Sequence, residues 1–576
     1  MKYPSLLVLA SLSLFPAVTS LAPLCGKISR DNLGSRASIA NRRLAATLEK
    51  DGTALEMPAS SPGSFDNFDY NAHWYPVIWI NELRLKEPTK VTIFDVDYVV
   101  AKLSDTEVVA LQDKCPHKAA ALSQGRVTSS GKFQCAYHGW SFDGKSGECV
   151  EIPQIVQPDG TMPPVVPSKS CAKAVPAQVH QNMVWLFPGG GLEKALLAPP
   201  PPSVQEVDEL GFGMSTAIRE MPVDWPIVIS NIYDADHGLF AHQAKPFDMY
   251  SASKDHPLQI SERFPNEGQG WIIDAKVEAT EKLLEVDRKV RGEVDKKKKK
   301  KKEKDQVPPT ATSSLQLPTH LQLKRIDKAT NSTSFVSGFY ICPTGVGRTR
   351  FMSAGFSKKP PKNWMTKLFL DNFLDQDTYL LATQQHNILQ QEAKDIREMM
   401  AKDKLSIKDL ASKKMKTRRD MFCLSSPTEK AGSKLEQFWD ATLLRAPNRV
   451  EKLLQLDDAG AFLQTPSREF VLDRKSQHLG ISPSAQDVVR NCETIMKRSK
   501  VFTIALVAAK LLGKYWGKAQ VLNAVLKPWV LLIAGGLAAA ASFVANKVKA
   551  EYFFKYTDEF RRKDMSKIPK SIWSDK

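Results

Sequence analysis

The chain has 576 residues and a mass of 64.1 kDa, with 42% hydrophobic, 25% charged and 9% aromatic residues, which excludes a collagen-like or wholly disordered protein. Its 8 cysteines are too sparse for a disulfide scaffold. The 80 basic and 63 acidic side chains leave +17, but much of that excess sits in one lysine run and the terminal regions. No zinc finger, RNA-binding signature or basic face interleaved with aromatics accompanies it, so no nucleic-acid partner is indicated.

Residues 1–60 read as a targeting segment. Lys2 precedes an apolar run from Leu6 to Phe15, of signal-peptide length, and Ala17-Val18-Thr19-Ser20 offers small residues for cleavage. The next stretch carries Lys27, Arg30, Arg36, Arg42 and Arg43 against only Asp31 and Glu49, which is transit-peptide composition. Together they predict a bipartite plastid address. Ser20-Leu21-Ala22-Pro23 is similar to the cleavage motif of algae with complex plastids, with Leu where Phe is usual. A plain secretory signal is the alternative.

From 70 to 190, β-branched and aromatic runs (77–80, 90–103, 107–112, 132–143, 183–188) broken by turn residues predict a small antiparallel β domain. Residues 198–204 read as a linker. The stretch 205–400 mixes strand patterns with a helix-like segment, Trp364–Met400. Inside it, an insertion at 285–312 contains seven consecutive lysines, Lys296–Lys302, expected as a solvated loop. Residues 400–500 are charged and helix-favouring, a connector towards the tail. The tail, 501–546, reads as membrane-anchor helices: Val501–Trp516, interrupted by Lys510 and Lys514, and Trp529–Ala545, without a charge. A buried helical hairpin in a soluble fold is the alternative.

Two constellations carry chemistry. The first is Cys115-Pro116-His117, then 17 residues, then Cys135-Ala136-Tyr137-His138. Two Cys and two His suit a tetrahedral zinc site or a Rieske [2Fe–2S] cluster, in which two Cys hold one iron and two His the other. Zinc pairs usually keep Cys with Cys and His with His. Here each loop carries one of each, so each reaches both irons, which favours the cluster. The second lies in 222–243, where Asn231, Asp234, His237 and His242 stand together. Two His and one carboxylate on one face bind non-haem Fe(II). Because His237 and His242 are five residues apart, their rings diverge by about 140° on a regular helix, and joint ligation needs a π-bulge or a helix end. Downstream, Asp371, Asp375 and Asp377 are the candidate carboxylates.

The first loop pair has no extra Cys in either loop and resembles the oxygenase sort of Rieske domain, with Tyr137 placed to hydrogen-bond near the cluster. The segments 74–83, 115–127 and 134–154, with the pattern N-x2-D-x2-H-x4-H, resemble the pheophorbide a oxygenase family. That group includes the import-associated 55-kDa Rieske protein and, more distantly, chlorophyllide a oxygenase. The resemblance implies an α+β fold: an N-terminal antiparallel-β Rieske domain, a mixed α/β helix-grip-like catalytic domain and a C-terminal helical membrane anchor. It implies a [2Fe–2S] cluster on Cys115, His117, Cys135 and His138. It implies mononuclear Fe(II) on His237, His242 and Asp377, with Asp375 the weaker match, and Asp234 as the electron bridge across a subunit boundary.

The implied partners are ferredoxin as electron donor, O2, a tetrapyrrole substrate, a membrane and two further copies in a homotrimer. The implied place is a plastid membrane, thylakoid or inner envelope. The implied reaction is oxygenation of a chlorophyll derivative, with pheophorbide a ring opening foremost. Another apolar plastid substrate (a carotenoid or sterol) and a non-catalytic import-type redox role stay open. Lys118 replaces the usual Arg, Gln243 follows His242, and the tail lacks the CxxC of some members, Cys492 standing alone.

Overall fold

Short β-branched and aromatic runs fold as expected into small antiparallel sheets at the start of the described chain, in a computed structural model that describes residues 65–157, 160, 167–234, 237, 258–263, 272–278, 310–327, 332–425, 429–513 and 527–553. The targeting segment, Lys296–Lys302 and His242 lie outside these residues. β1 (Tyr75–Trp79), β2 (Thr89–Ile93), β3 (Val96–Lys102) and β4 (Val108–Gln112) are followed by the short strands β5 (Arg126–Val127), β6 (Phe133–Gln134), β7 (Ser141–Phe142) and β8 (Cys149–Glu151). β9 (Ala177–His180) and β10 (Met183–Leu186) complete this half. The sheet orders are β1-β10-β9, β2-β3-β4 and β5-β6-β7-β8.

Two stretches read as single strands are hairpins. Residues 90–103 turn at Phe94 and Asp95, both in the left-handed region (φ 50° and 61°), the conformation that two-residue hairpins require. Neither is glycine, so the sequence hides the turn; tertiary contacts hold it instead. The Phe94 ring packs on Tyr75 and Tyr70, with centroids 5.2 and 6.0 Å apart. Its N–H donates to Pro343 O at 2.6 Å, and Asp95 pairs with Arg348. The hairpin tip thus docks the first half onto the second. Residues 132–143 likewise divide into β6 and β7 around the loop 135–140.

The second half is one antiparallel sheet of seven strands in the order β11-β17-β16-β15-β14-β13-β12. Its strands are β11 (Gly213–Met221), β12 (Leu258–Arg263), β13 (Ile272–Glu278), β14 (Thr310–Gln316), β15 (His320–Asp327), β16 (Ser332–Gly345) and β17 (Arg348–Ser357). Helix α1 (Trp225–Tyr233) leaves β11. The long helix α2 (Asn363–Asp403) returns across the sheet, and Asn363 bonds both the N–H and the hydroxyl of Thr216, at 3.0 and 2.9 Å. This matches the α+β, helix-on-sheet expectation.

The stretch 400–500 is helical but is not a free-standing link. It holds α3 (Thr417–Met421), α4 (Lys430–Thr442) and α5 (Arg449–Asp458); Leu435, Phe438 and Trp439 of α4, Leu443 just after it and Leu453 of α5 are buried in the same apolar core as Trp79, Trp185 and Tyr340. A separate apolar cluster around Val99, Leu111, Phe133 and Phe142 backs Cys115 and Cys135. The tail is a helix pair, α6 (Pro483–Gly513) and α7 (Pro528–Tyr552), whose feet meet through Lys549 and Glu493 at 2.6 Å. Among the described residues α7 alone is long and apolar enough to cross a membrane, with a mean hydropathy of 1.9.

Candidate metal centres

The loops carrying Cys115 and Cys135 repeat one backbone design. In each, the Cys N–H donates to the carbonyl five residues on (Ala120 O at 2.8 Å, Trp140 O at 2.9 Å). In each, its carbonyl accepts from the residue four on (Ala119 N at 2.9 Å, Gly139 N at 3.1 Å). The residue four on is left-handed in both, Ala119 at φ 60° and Gly139 at φ 74°. This turns the two Cys inward, where both are buried, and brings the His rings together, with the His117 and His138 centroids 4.5 Å apart.

Burial, and then the neighbouring Cys135 thiol, push the Cys115 thiol above its ordinary range. Bound iron would favour its thiolate. The four donors, divided two and two between paired loops, fit a [2Fe–2S] cluster. Among the described residues no three His, Cys, Asp or Glu side chains form a ready single-ion site. The His117 ring stacks on Trp140 at 4.6 Å, nearly parallel, a support that the sequence did not announce. Tyr137 is exposed and leans on the His138 ring, with centroids 4.0 Å apart, so it stands beside the cluster loops.

The second set forms where α1 ends. Its last residue is Tyr233, and Asp234 caps it in extended backbone, so His237 stands beyond the helix end, one of the two geometries that the x4 spacing demanded. The His237 Nδ1 lies 2.7 Å from Asp234 O. A carbonyl only accepts, so Nδ1 is the donor and Nε2 presents its lone pair, the arrangement of a metal-binding imidazole. That Nε2 faces Asp377 Oδ1 on α2 at 4.0 Å.

Burial pushes the Asp377 carboxyl up to about 7, against the lowering influence of His237 and Arg219, while Asp234 raises it further. A cation held between Asp377 and His237 would restore the carboxylate. These residues fit a mononuclear iron; the expected third ligand, His242, is outside the described residues. Asp375, the weaker carboxylate candidate, points elsewhere and is held by Arg219 at 2.9 Å and Arg474 at 2.8 Å. Asp371 lies 3.6 Å from His478.

A buried ionic lattice fixes α1 against α2. Arg449 grips Asp224, at the head of α1, with bonds of 3.1 and 2.8 Å, and reaches Glu392 of α2 at 2.7 Å. Arg418 joins Glu392 to Glu436, and Glu436 accepts from Ser230 of α1 at 2.6 Å. All these charges are buried and paired, so the lattice holds the helices in one register. A cavity of about 780 Å³ lies nearby, lined by Glu220, Thr344, Arg350, His386 and Phe462 among others; none of the candidate ligands lines it.

Residues 73–170 match the Rieske [2Fe–2S] domain family. The chain is 37% identical over 207 residues to pheophorbide a oxygenase of Oryza sativa subsp. japonica, covering 35% of this chain and 39% of that protein. It is 29% identical over 354 residues to the protochlorophyllide-dependent translocon component 52 of Arabidopsis thaliana, covering 57% of this chain and 62% of that one. The matched region is thus less than two thirds of either relative's length. Among solved structures, Pseudomonas putida CBB5 NdmB overlays with a TM-score of 0.46 at 18% identity, over 68% of this chain and 97% of that one.

Proposed function

Since this chain carries a Rieske domain and belongs with the plastid Rieske proteins that include pheophorbide a oxygenase, we propose that it oxygenates a chlorophyll derivative, pheophorbide a foremost, at a plastid membrane. One observation carries the reading: His237 Nε2 and the buried Asp377 carboxylate face each other across 4.0 Å, from segments 140 positions apart (377 − 237). A chain that only shuttled electrons would not need this pair.

In this reading Cys115, His117, Cys135 and His138 hold the cluster, and His237, His242 and Asp377 hold Fe(II). Bound there, the groups would supply one-electron relay and dioxygen activation. Asp234 fixes the His237 tautomer through its carbonyl, while its carboxylate accepts the His237 N–H at 3.3 Å and remains at the surface. A surface carboxylate beside an iron ligand suits a bridge to the cluster of a neighbouring copy, as in the homotrimer that the family resemblance implies. Ferredoxin is the electron donor proposed.

A second reading, a redox component without turnover, is favoured by the longer alignment, which is with the translocon protein. Anaerobically purified chain assayed for iron, then for oxygen-dependent loss of pheophorbide a with ferredoxin and a reductant, separates the two. About three irons per chain with turnover supports the oxygenase. Three without turnover discards this substrate. Two, with a Rieske paramagnetic signal alone, gives the second reading. Asp234→Asn should keep all the iron yet lose most turnover; full activity in that variant would sink the bridging role.

A further inference from the structure

The foot of the apolar hairpin α6–α7 does not rest on the body through ordinary surface contacts. Arg474, wholly buried, donates through Nε to Asp375 Oδ2 at 2.8 Å and through Nη1 to Glu551 Oε2 at 2.8 Å. Glu551 belongs to the last turn of α7, and Asp375 to α2. The other Asp375 oxygen accepts from Arg219 of β11 at 2.9 Å, and Arg219 also donates to Gln477 Oε1 at 2.5 Å. At the head of α6, Ser484 N and Oγ donate to the buried Glu82 of the first half, at 3.0 and 2.6 Å. The hairpin is therefore pinned at both feet.

The helix geometry gives this pin a consequence. Asp371 and Asp375 are one turn apart and share a face of α2. Asp377, two residues on, lies about 200° round the axis and faces His237. So α2 is held between the hairpin foot on one side and the second candidate metal centre on the other. A carboxylate oxygen stands about 6 Å from the helix axis, so a rotation of about 10° moves it by about 1 Å, enough to spoil a ligand's placement. Two guanidinium groups oppose two carboxylates in the pin, Arg219 and Arg474 against Asp375 and Glu551. Removing Asp375 takes a partner from both buried guanidinium groups, whereas removing Glu551 leaves Arg474 bonded to Asp375 and cuts only its tie to the hairpin foot.

We propose that Arg474 is a positioning residue which, through Asp375 and Glu551, couples the seating of the C-terminal hairpin to the presentation of Asp377. The inference rests on reading His237 and Asp377 as iron ligands, and it makes the hairpin part of the mononuclear site's support as well as an anchor. Glu551 is the half-exposed end of the link, so its substitution spares the core.

The experiment uses full-length chain in detergent, as wild type, Glu551→Gln and Glu551→Asp. Fe(II) is titrated into the mononuclear site and followed by the paramagnetic signal of its nitric-oxide adduct, with the Rieske signal as internal control. Glu551→Gln is expected to weaken Fe(II) affinity about ten-fold with the Rieske signal unchanged, the usual cost of losing a ligand's outer support, and Glu551→Asp to restore it. Wild-type affinity in Glu551→Gln overturns the proposal. Amide exchange over 370–381 in iron-free protein reads the same link without metal. Faster exchange in Glu551→Gln is expected, and unchanged exchange overturns the proposal. A wild-type chain without the nitric-oxide signal refutes the ligand reading, while the exchange measurement still decides the coupling.

Discussion

The carboxylates at 371, 375 and 377 have the same chemistry and differ in what surrounds them. Asp377 faces an imidazole lone pair, whereas Asp375 is saturated by two guanidinium groups. Asp377→Asn should therefore lose about one iron per chain while the Rieske signal and the melting temperature hold. Asp375→Asn should instead leave two buried arginines undercompensated and cost about 3–5 kcal/mol, read as an early melt. If both variants lose iron equally without destabilisation, the assignment of roles is wrong. The paired cluster loops offer a second contrast. Gly139 at φ 74° would place a Cβ 3.1 Å from Pro153, so Gly139→Ala should cost about 1–2 kcal/mol. Ala119 already bears that strain at the matching position. Ala119→Gly should thus be neutral or stabilising by up to about 1 kcal/mol, and comparative melts of the iron-loaded protein check both signs.

At the scale of elements, two buried histidines tie stability to pH. His73, just before β1, stacks on Phe68, and His320, opening β15, lies against Tyr340. Burial lowers His73 to about 4; burial, then His180, lowers His320 to about 3. Both folded values lie below the unfolded value of about 6.5, so the unfolded chain binds more protons on acidification. Their contribution is intact above about pH 6.5 and is lost as pH falls towards 4 and 3. At pH 5 each costs about 2 kcal/mol relative to pH 7. Denaturant melts at the two pH values test this: His73→Phe with His320→Phe should lose much less on acidification than wild type. An equal loss would mean that other groups carry it. Elements differ in how plainly the sequence shows them. The helix around 364–400 and the ligand loops were legible, because a long helix-favouring stretch and the Cys/His spacing are local signals. The turn at Phe94-Asp95 was not, since tertiary contacts rather than glycine stabilise it. Nor was the packing of 400–474, because Arg418, Arg449 and Arg474 sit in a stretch that reads only as charged and helix-favouring until their buried acids are placed beside them.

At the scale of the whole molecule, the question is what covers the hairpin. α7 has 25 residues, about 37 Å of helix, more than the roughly 30 Å of a hydrocarbon core. Leu532, Ile533 and Leu537 are 75%, 56% and 67% exposed, as are Val501 and Ile504 on α6 at 66% and 68%, so the body of the chain does not bury these faces. A core hairpin of a soluble monomer would hide them; a bilayer or another copy would also serve. The membrane reading predicts that purified chain floats with lipid vesicles and resists alkaline extraction. Leu537→Lys places an ammonium group near the middle of the apolar stretch, costing about 2.5–3.5 kcal/mol on insertion, and Leu532→Lys adds a second, nearer the start of α7, at a smaller cost. Both positions point away from the core, so the variant should leave the vesicles while keeping its Rieske signal. A wild-type chain that stays out of the vesicles as a defined oligomer would mean that the apolar faces are buried between copies, and α7 would then be an assembly helix.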